Sequence, residues 1–409
     1  MKCRHCNTPL EHVFVDLGTA PPSNAFLTAE QLGDPEVYYP LKLLACHQCH
    51  LVQVDEHASC KDIFCADYVY FSSFSSTWLD HARRYVDMAQ ARFGLNARSL
   101  VVEIASNDGY LLQYVQAKGI PCLGVEPTLR TAEAARAKGI EVETEFFGRD
   151  YACGLVRRRG RAALVVGNNV LAHVPDLNDF VAGLAELAAP GGTVTMEFPH
   201  LLRLVEGNQF DTIYHEHFSY FSLHTVRRVF AAQGLEIYDV QDLPTHGGSL
   251  RIFAGHAASL PEPVGPAVGA LLAREQAAGM LEMAFYQGFQ AKAERVKNEL
   301  LEFLLDARRR GRQVAAYGAA AKGNTLLNYC GVRPDLVRFV VDRSPHKQGR
   351  FLPGSRIPVV HPDEIARARP DYVLILPWNI REEIMADLHC IKEWGGAFVC
   401  AIPGITVLE

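Results

Sequence analysis

Apolar and polar positions along this chain of 409 residues follow two rhythms. From Ser76 to Phe93 apolar residues recur at helical spacing (Leu79, Ala82, Tyr85, Val86, Ala89, Phe93), and Gly94 stands where a helix would stop. Beyond it, short apolar runs alternate with amphipathic ones: strand 100–104, helix 109–117, strand 121–126, helix 129–138, strand 163–166, helix 177–187 and strand 193–198. Gly119, Gly139 and Pro190-Gly191-Gly192 punctuate the helix ends. Such alternation predicts parallel βαβ units with helices on both sheet faces. Helix 225–233 and strands 236–240 and 249–254 close this unit. Residues 259–268 carry three prolines and read as an extended linker, after which a long helical run covers 269–310. A second, smaller α/β unit then follows: strand 313–317, helix 324–329, strands 337–341 and 372–376, helix 380–388 and strand 397–401.

The first sixty residues are rich in Cys, His and Pro, with short alternations that suggest small strands needing a staple. The expected division is therefore residues 1–65, 66–256 and 257–409. A formal net charge of −6 without a basic field argues against a nucleic-acid partner. No run reaches the roughly 18–20 apolar residues of a membrane helix, and the N-terminus lacks the apolar stretch of an export signal, so a cytoplasmic location is expected.

Six of the eleven cysteines fall in the first 65 residues (Cys3, Cys6, Cys46, Cys49, Cys60, Cys65). Cys3-x-x-Cys6 and Cys46-x-x-Cys49 form two knuckles that can supply four soft ligands to a tetrahedral Zn²⁺. Four protein ligands leave no open position, which makes the zinc structural. His5, His47 and His50 lie beside the thiols and are read as neighbours of the ligands.

A second candidate site begins where strand 100–104 runs into Ala105-Ser106-Asn107-Asp108-Gly109, a turn whose small residues let the backbone approach a ligand. Glu126 ends the next strand, where a carboxylate can accept both hydroxyls of a ribose. The turn lacks the Gly-x-Gly-x-x-Gly of a pyrophosphate cradle and carries Glu103, Asn107 and Asp108, which suit a cationic methionine tail. This segment resembles the first motif of class I methyltransferases, acidic-x-Gly/Ala-x-x-x-Gly, matched by Glu103, Ala105 and Gly109. The resemblance implies S-adenosylmethionine as cofactor, Phe146 flanking its adenine, and Asn168 and Asn169, after the fourth strand, bordering the methyl group.

Between Phe198 and helix 225–233 lies Tyr214-His215-Glu216-His217, a dense supply of proton-transfer groups. Together with the four-cysteine start, His246-Gly247-Gly248-Ser249-Leu250-Arg251 and the terminal α/β unit, this segment makes the whole chain similar to the sugar C-methyltransferases of branched deoxysugar synthesis. The fold then implied is a class I Rossmann-like core with an N-terminal zinc-binding domain and a second C-terminal Rossmann-like domain. The implied substrate is a nucleotide-diphosphate keto-deoxysugar, methylated at a carbon beside its ketone. Deprotonating such a carbon needs a base and donors around the carbonyl oxygen. His217 is the expected base, with Glu216 orienting a histidine or a sugar hydroxyl and His215 in the substrate pocket. Tyr214, and by resemblance Tyr68 and His173, are expected as donors or alternate acid/base groups.

In the terminal unit, Gly318-Ala319-Ala320-Ala321-Lys322-Gly323-Asn324-Thr325 joins a strand to a helix. Its lysine precedes the second glycine, so the P-loop pattern fails, yet Lys322, Asn324 and Thr325 at a helix start are candidates for a diphosphate. The resemblance adds Ser344, Lys347, Trp378 and Asn379 to that grip. Both outer units can flank the central cleft within one chain, so a monomer is expected. The competing readings are an O- or N-methyltransferase of another small molecule, and a zinc-bearing scaffold with a degenerate core.

Overall fold

The computed structural model describes residues 1–57 and 71–408. The chain opens with β1 (His12–Ala20), β2 (Tyr39–Ala45) and β3 (Val52–Val54), followed by helix α1 (Ser76–Phe93). The central unit runs β4 (Val101–Ile104), α2 (Leu112–Ala117), β5 (Cys122–Val125), α3 (Leu129–Ala137), β6 (Val142–Glu143), α4 (Arg149–Arg159), β7 (Ala162–Asn168), α5 (Leu177–Leu187) and β8 (Ala188–Pro199). After α6 (Leu201–Glu206), β9 (Ser219–Tyr220) and α7 (Leu223–Ala231) come β10 (Leu235–Leu243) and β11 (Ser249–His256). The final part holds α8 (Pro266–Ala277), α9 (Met283–Gln287), α10 (Phe289–Arg309), β12 (Val314–Tyr317), α11 (Ala321–Tyr329), β13 (Val340–Val341) and β14 (Val359–Val360). It ends with α12 (Glu364–Ala368), β15 (Tyr372–Ile375), α13 (Arg381–Asp387), β16 (Ala397–Cys400) and β17 (Thr406–Leu408).

The central sheet has the order β10-β11-β8-β7-β4-β5-β6, with β11 antiparallel to both its neighbours. The chain leaves β4 toward β5 and β6 on one side and returns to β7 and β8 on the other. A crevice therefore opens at the carboxyl ends of β4 and β7, where open α/β sheets bind ligands. The C-terminal sheet repeats this plan in the order β14-β13-β12-β15-β16-β17, parallel except for β17. Both sheets bear out the α/β class with two Rossmann-like units.

Local sequence explains the helix limits. Ser75 caps α1 by accepting from the Trp78 amide at 3.2 Å, and Gly94 ends it at φ 62°, a conformation that other residues reach only with strain. The run 269–310 is interrupted. α8 buries Val268 and Leu271 against the central unit, Gly279 turns the chain at φ 85°, and α10 presents Phe289, Ala293, Val296, Leu300 and Leu304 to a different core. Pro266 stands at the start of α8, so the proline-rich segment ends by initiating a helix. Among the described residues no helix is long and apolar enough to cross a membrane.

Two packing features place the site. The small N-terminal sheet shares a continuous core with α10 and the C-terminal sheet, with Phe14 stacked on Phe289 at 4.7 Å. Its last strand comes from far along the chain: β9 pairs with β3 in the register Val52↔Tyr220 and Gln53↔Ser219. Behind β9, the fully buried carboxylate of Glu275 (α8) takes His200 Nε2 at 2.8 Å and the amides of Leu223 and His224 at 2.6 and 2.9 Å, capping the start of α7. Removing one partner of such a buried set leaves the others unpaired. Glu275→Ala is therefore expected to lower the urea-unfolding free energy by about 3–5 kcal/mol, and a loss below about 1 kcal/mol would show that water replaces the carboxylate there.

Candidate active site

The sulfurs of Cys3, Cys6, Cys46 and Cys49 lie within 4.8 Å of one another, with Cys3–Cys49 and Cys6–Cys46 each at 3.5 Å. Bonds of about 2.3 Å to a tetrahedral Zn²⁺ space sulfurs by about 3.8 Å, so the set fits that ion. Each knuckle is closed by a left-handed residue, Asn7 at φ 60° and His50 at φ 63°, whose amides donate to Cys3 and Cys46 carbonyls. That gives His50 a structural part outside the ligand set. Cys3 is pulled below the ordinary thiol range, first by its contact with Cys49 and also by Gln53 Nε2, which donates to its sulfur at 3.3 Å. Cys60 and Cys65 lie outside the described residues, as does Tyr68.

At the carboxyl ends of β4 and β5 the turn after Glu103 is strained. Ala105 and Asn107 sit at φ 56° and 50°, and Gly109 follows at φ 75°, where a side chain would run into Ile140. Glu126 grips this turn by accepting from the amides of Asn107 and Thr128, both at 2.9 Å, and from the Thr128 hydroxyl. Its Oε2 has one such partner and keeps a lone pair for a ligand hydroxyl. Asn107 and Asp108 are themselves covered by residues 72–73, whose amides donate to them at 2.9 and 3.3 Å.

Glu103 is fully buried, and the Tyr110 hydroxyl is the neighbour placed to donate to it. Burial first, then the charges of Glu126 and Asp108, raise its pKa well above the usual carboxylate range, and the Tyr110 hydroxyl opposes them. Three carboxyl groups gather at one turn, with Asp108 Oδ1 buried and unpartnered and Glu126 Oε2 holding a single donor, and such a set suits a cation bearing hydroxyls, as S-adenosylmethionine is. Phe146 leaves its ring 45% exposed, free to cover a base, while Phe147 packs inward on Phe180. Asn168 ends β7 beside Tyr110. Asn169 turns at φ 55° and meets His246 Nε2 at 3.1 Å.

The segment from Phe210 to Phe221 lies where all three sheets meet. His217 Nδ1 is 3.1 Å from the Thr212 carbonyl, which can only accept, so the proton sits on Nδ1 and Nε2 is the bare nitrogen. The Tyr214 hydroxyl donates to that Nε2 at 2.8 Å. Burial, with the charges of His173, His246 and Lys322, holds His217 well below the usual imidazole range and therefore neutral. His173 packs edge-on at 4.6 Å and is lowered to about 4 by burial. Burial pushes Glu216 up to about 7, against the opposing hydrogen bond from Asn24 Nδ2 at 2.7 Å. His215 turns away from this group, its Nε2 lying 3.2 Å from the carbonyls of Tyr39 and Pro40 in β2, where it fastens the segment to the zinc-bearing sheet.

The terminal unit closes the third side. Thr325 donates to the Ile213 carbonyl at 2.7 Å and Asn324 to the Ser23 carbonyl at 2.6 Å, so both turn into the protein. Lys322 Nζ lies 2.6 Å from Asn379 Oδ1 and 4.6 Å from the Trp378 ring centre. Trp378 Nε1 donates to Asp211 at 2.7 Å, and its ring lies against Gly247, which at φ 90° has no room for a Cβ. Lys347 bonds the Ala319 carbonyl at 2.8 Å, and the Ser344 amide donates to Asp342 at the same distance. Sequence reasoning missed Asp211, Asn24 and His246 as members of this junction. A polar residue before Tyr214 and the glycine pair after His246 were the available signals.

Two outcomes follow from this geometry. Chelating the zinc is expected to lower stability and turnover together, because β9 and His215 tie the catalytic segment to the metal-stapled sheet. Turnover lost with fold and donor affinity intact would instead make the metal catalytic. Glu103 holds its proton to higher pH than an ordinary glutamate and must shed it to meet a cation, so adenosylmethionine affinity should fall as pH is lowered. Calorimetry in two buffers of different ionisation enthalpy should register proton release that Glu103→Gln abolishes, and proton-neutral binding by the wild type would refute the assignment.

Three family models match the chain: a zinc binding domain over residues 3–64, a methyltransferase domain over 78–240 and a C-methyltransferase C-terminal domain over 244–403. C-methyltransferase NovU of Streptomyces niveus is 37% identical over 408 residues, spanning 100% of this chain and 97% of its own. Among solved structures, magnesium protoporphyrin IX methyltransferase (ChlM) of Synechocystis with bound SAH aligns at 17% identity and TM-score 0.36 over 43% of this chain and 82% of its own. A SAM-dependent methyltransferase from Anabaena variabilis aligns at 14% and TM-score 0.36 over 44% and 86%. Relatedness to NovU over the full length, with the three family models in order, favours carbon transfer over the competing readings: the chain belongs to the S-adenosylmethionine-dependent C-methyltransferases.

Proposed function

We propose that this C-methyltransferase acts in the cytoplasm on a nucleotide-linked 4-keto-6-deoxysugar, with C-3 as the favoured position, and that His217 removes the proton from that carbon. The observation that carries this reading is the fixed tautomer of His217: Nδ1–H held by the Thr212 carbonyl, Nε2 bare and directed at Tyr214. A neutral imidazole in that tautomer takes a proton at Nε2 once it gives up the Tyr214 hydroxyl. When Nε2 turns to the sugar carbon, the Tyr214 hydroxyl is released beside it and can donate to the keto oxygen. Glu216, brought near neutrality by burial, can hold a sugar hydroxyl as donor or acceptor. His173 stays uncharged at neutral pH and keeps a second cation away from the base. Bound S-adenosylmethionine supplies a methyl group on a positively charged sulfur, an electrophile strong enough for carbon attack without a metal. Diphosphate contacts fall to Lys347 and Ser344, which stand beside Asp342 at the end of β13.

Membership among C-methyltransferases favours carbon over oxygen or nitrogen as acceptor. A screen of nucleotide 4-keto-6-deoxysugars with labelled adenosylmethionine, locating the methyl by NMR, tests the substrate. His217→Ala is expected to abolish both methylation and solvent-deuterium exchange at the acceptor carbon, a loss of at least about 10²-fold for a general base. Full exchange in that variant would remove His217 from this role.

A further inference from the structure

The terminal unit offers its helix start to the catalytic segment, and the residues there do not form an anion cradle. The Ala319 amide already donates to Asp342 at 2.8 Å, Lys347 sits on the Ala319 carbonyl, and Asn324 and Thr325 are spent on Ser23 and Ile213. Lys322 is different. It lies three residues before Thr325, on the same face of α11, so it faces the segment that Thr325 holds. Asn379 takes one of its three N–H donors. The Trp378 ring supports its charge from one side, and the same ring is fixed to Asp211, one residue before the Thr212 carbonyl that orients His217. Its charge is felt at both His217 and His246.

We propose that the Lys322 ammonium is a catalytic residue that stabilises the enolate oxygen of the substrate, an assignment that rests on the keto-sugar reading above. The C–H proton passes to His217 Nε2 while the C–H electron pair becomes the new C=C bond and the carbonyl pair moves onto oxygen, where Lys322 donates a hydrogen bond. The enolate carbon then forms its bond to the methyl, the methyl–sulfur bond breaks with its pair left on sulfur, the carbonyl re-forms, and His217 returns its proton to solvent. Asn379 and Trp378 position the ammonium, and Asp211 balances its charge in the free enzyme. A buried neutral imidazole is a weak base, so acidifying the carbon acid from the oxygen side is what the site needs.

The test compares the full-length zinc-bound wild type with Lys322→Met, and with Lys322→Gln should the Met variant fail to bind adenosylmethionine. The readouts are solvent-deuterium exchange at the acceptor carbon under saturating nucleotide sugar, and binding of thymidine diphosphate alone by calorimetry. The expected result is exchange slowed about 10²–10³-fold, as for loss of one oxyanion donor, with the diphosphate Kd within about threefold and partial recovery of exchange in Lys322→Arg. Exchange within about tenfold of wild type at saturation, or a diphosphate Kd weakened more than about tenfold with exchange retained, overturns the assignment and makes Lys322 a binding residue. Absence of exchange in the wild type itself would bring down the keto-sugar reading, whereas exchange that survives in the lysine variants brings down the role of Lys322 alone.

Discussion

The hydrogen bond from His217 Nδ1 to the Thr212 carbonyl fixes the imidazole to which the proposed chemistry is assigned, and it spans five residues of one irregular segment. A segment of that kind, with little secondary structure of its own, holds a side chain in place only if its backbone is fixed from outside. Here the fixing comes from three directions. β9 pairs with β3, and the Val54 amide reaches the Phe218 carbonyl at 3.1 Å. The Phe218 amide donates to Ala172 at 2.7 Å in the loop after β7, and Thr325 holds Ile213 from the terminal unit. The three parts of the chain are thus three walls around one loop, and none can shift without moving Thr212 or its neighbours.

Burial then acts on every titratable group of the junction and drives each toward its neutral form. Imidazoles at His173, His217 and His246 fall, and carboxyls at Asp211 and Glu216 rise to about 6 and 7. The effects on stability run in opposite senses: the imidazoles favour the fold above their usual pKa, whereas the raised carboxyls favour it below the pH at which they ionise. Burial acts on Lys322 in the same sense, lowering its pKa, and the Asp211 carboxylate opposes that fall, while the Trp378 face lies 4.6 Å from the ammonium.

Much of this was legible in the residues. The cysteine pairs converge as their spacing requires, and α1 ends at Gly94 because only a residue tolerant of φ 62° closes that helix well. Both Rossmann-like units follow from strand and helix periods. α4 escaped notice because only Ala152 and Leu155 of its residues are buried, which is too faint a stripe to register. The break in 269–310 was hidden because its cause is tertiary: α8 and α10 serve different cores, and a period of 3.6 cannot announce a change of partner. Long-range pairing was equally silent. Nothing local to Ser219 and Tyr220 says that they complete a sheet begun at His12. Asn324 and Thr325, expected at a helix start as diphosphate contacts, and His215, expected in the substrate pocket, each bond a carbonyl of another part of the chain, which local sequence does not announce.

That last substitution of roles bears on how zinc and catalysis relate. Four thiol ligands leave a tetrahedral zinc no open position, yet the strand that runs into Cys46 carries the carbonyls of Tyr39 and Pro40 that receive His215, two residues before His217. Asn24, from the loop between β1 and β2, donates to Glu216. A stapled sheet of four short strands is a rigid body, and hydrogen bonds from a rigid body fix the direction of a loop in a way that apolar packing does not. On the reading proposed above, zinc would act on the chemistry through geometry alone, by stiffening the wall to which His215 and Glu216 are bonded.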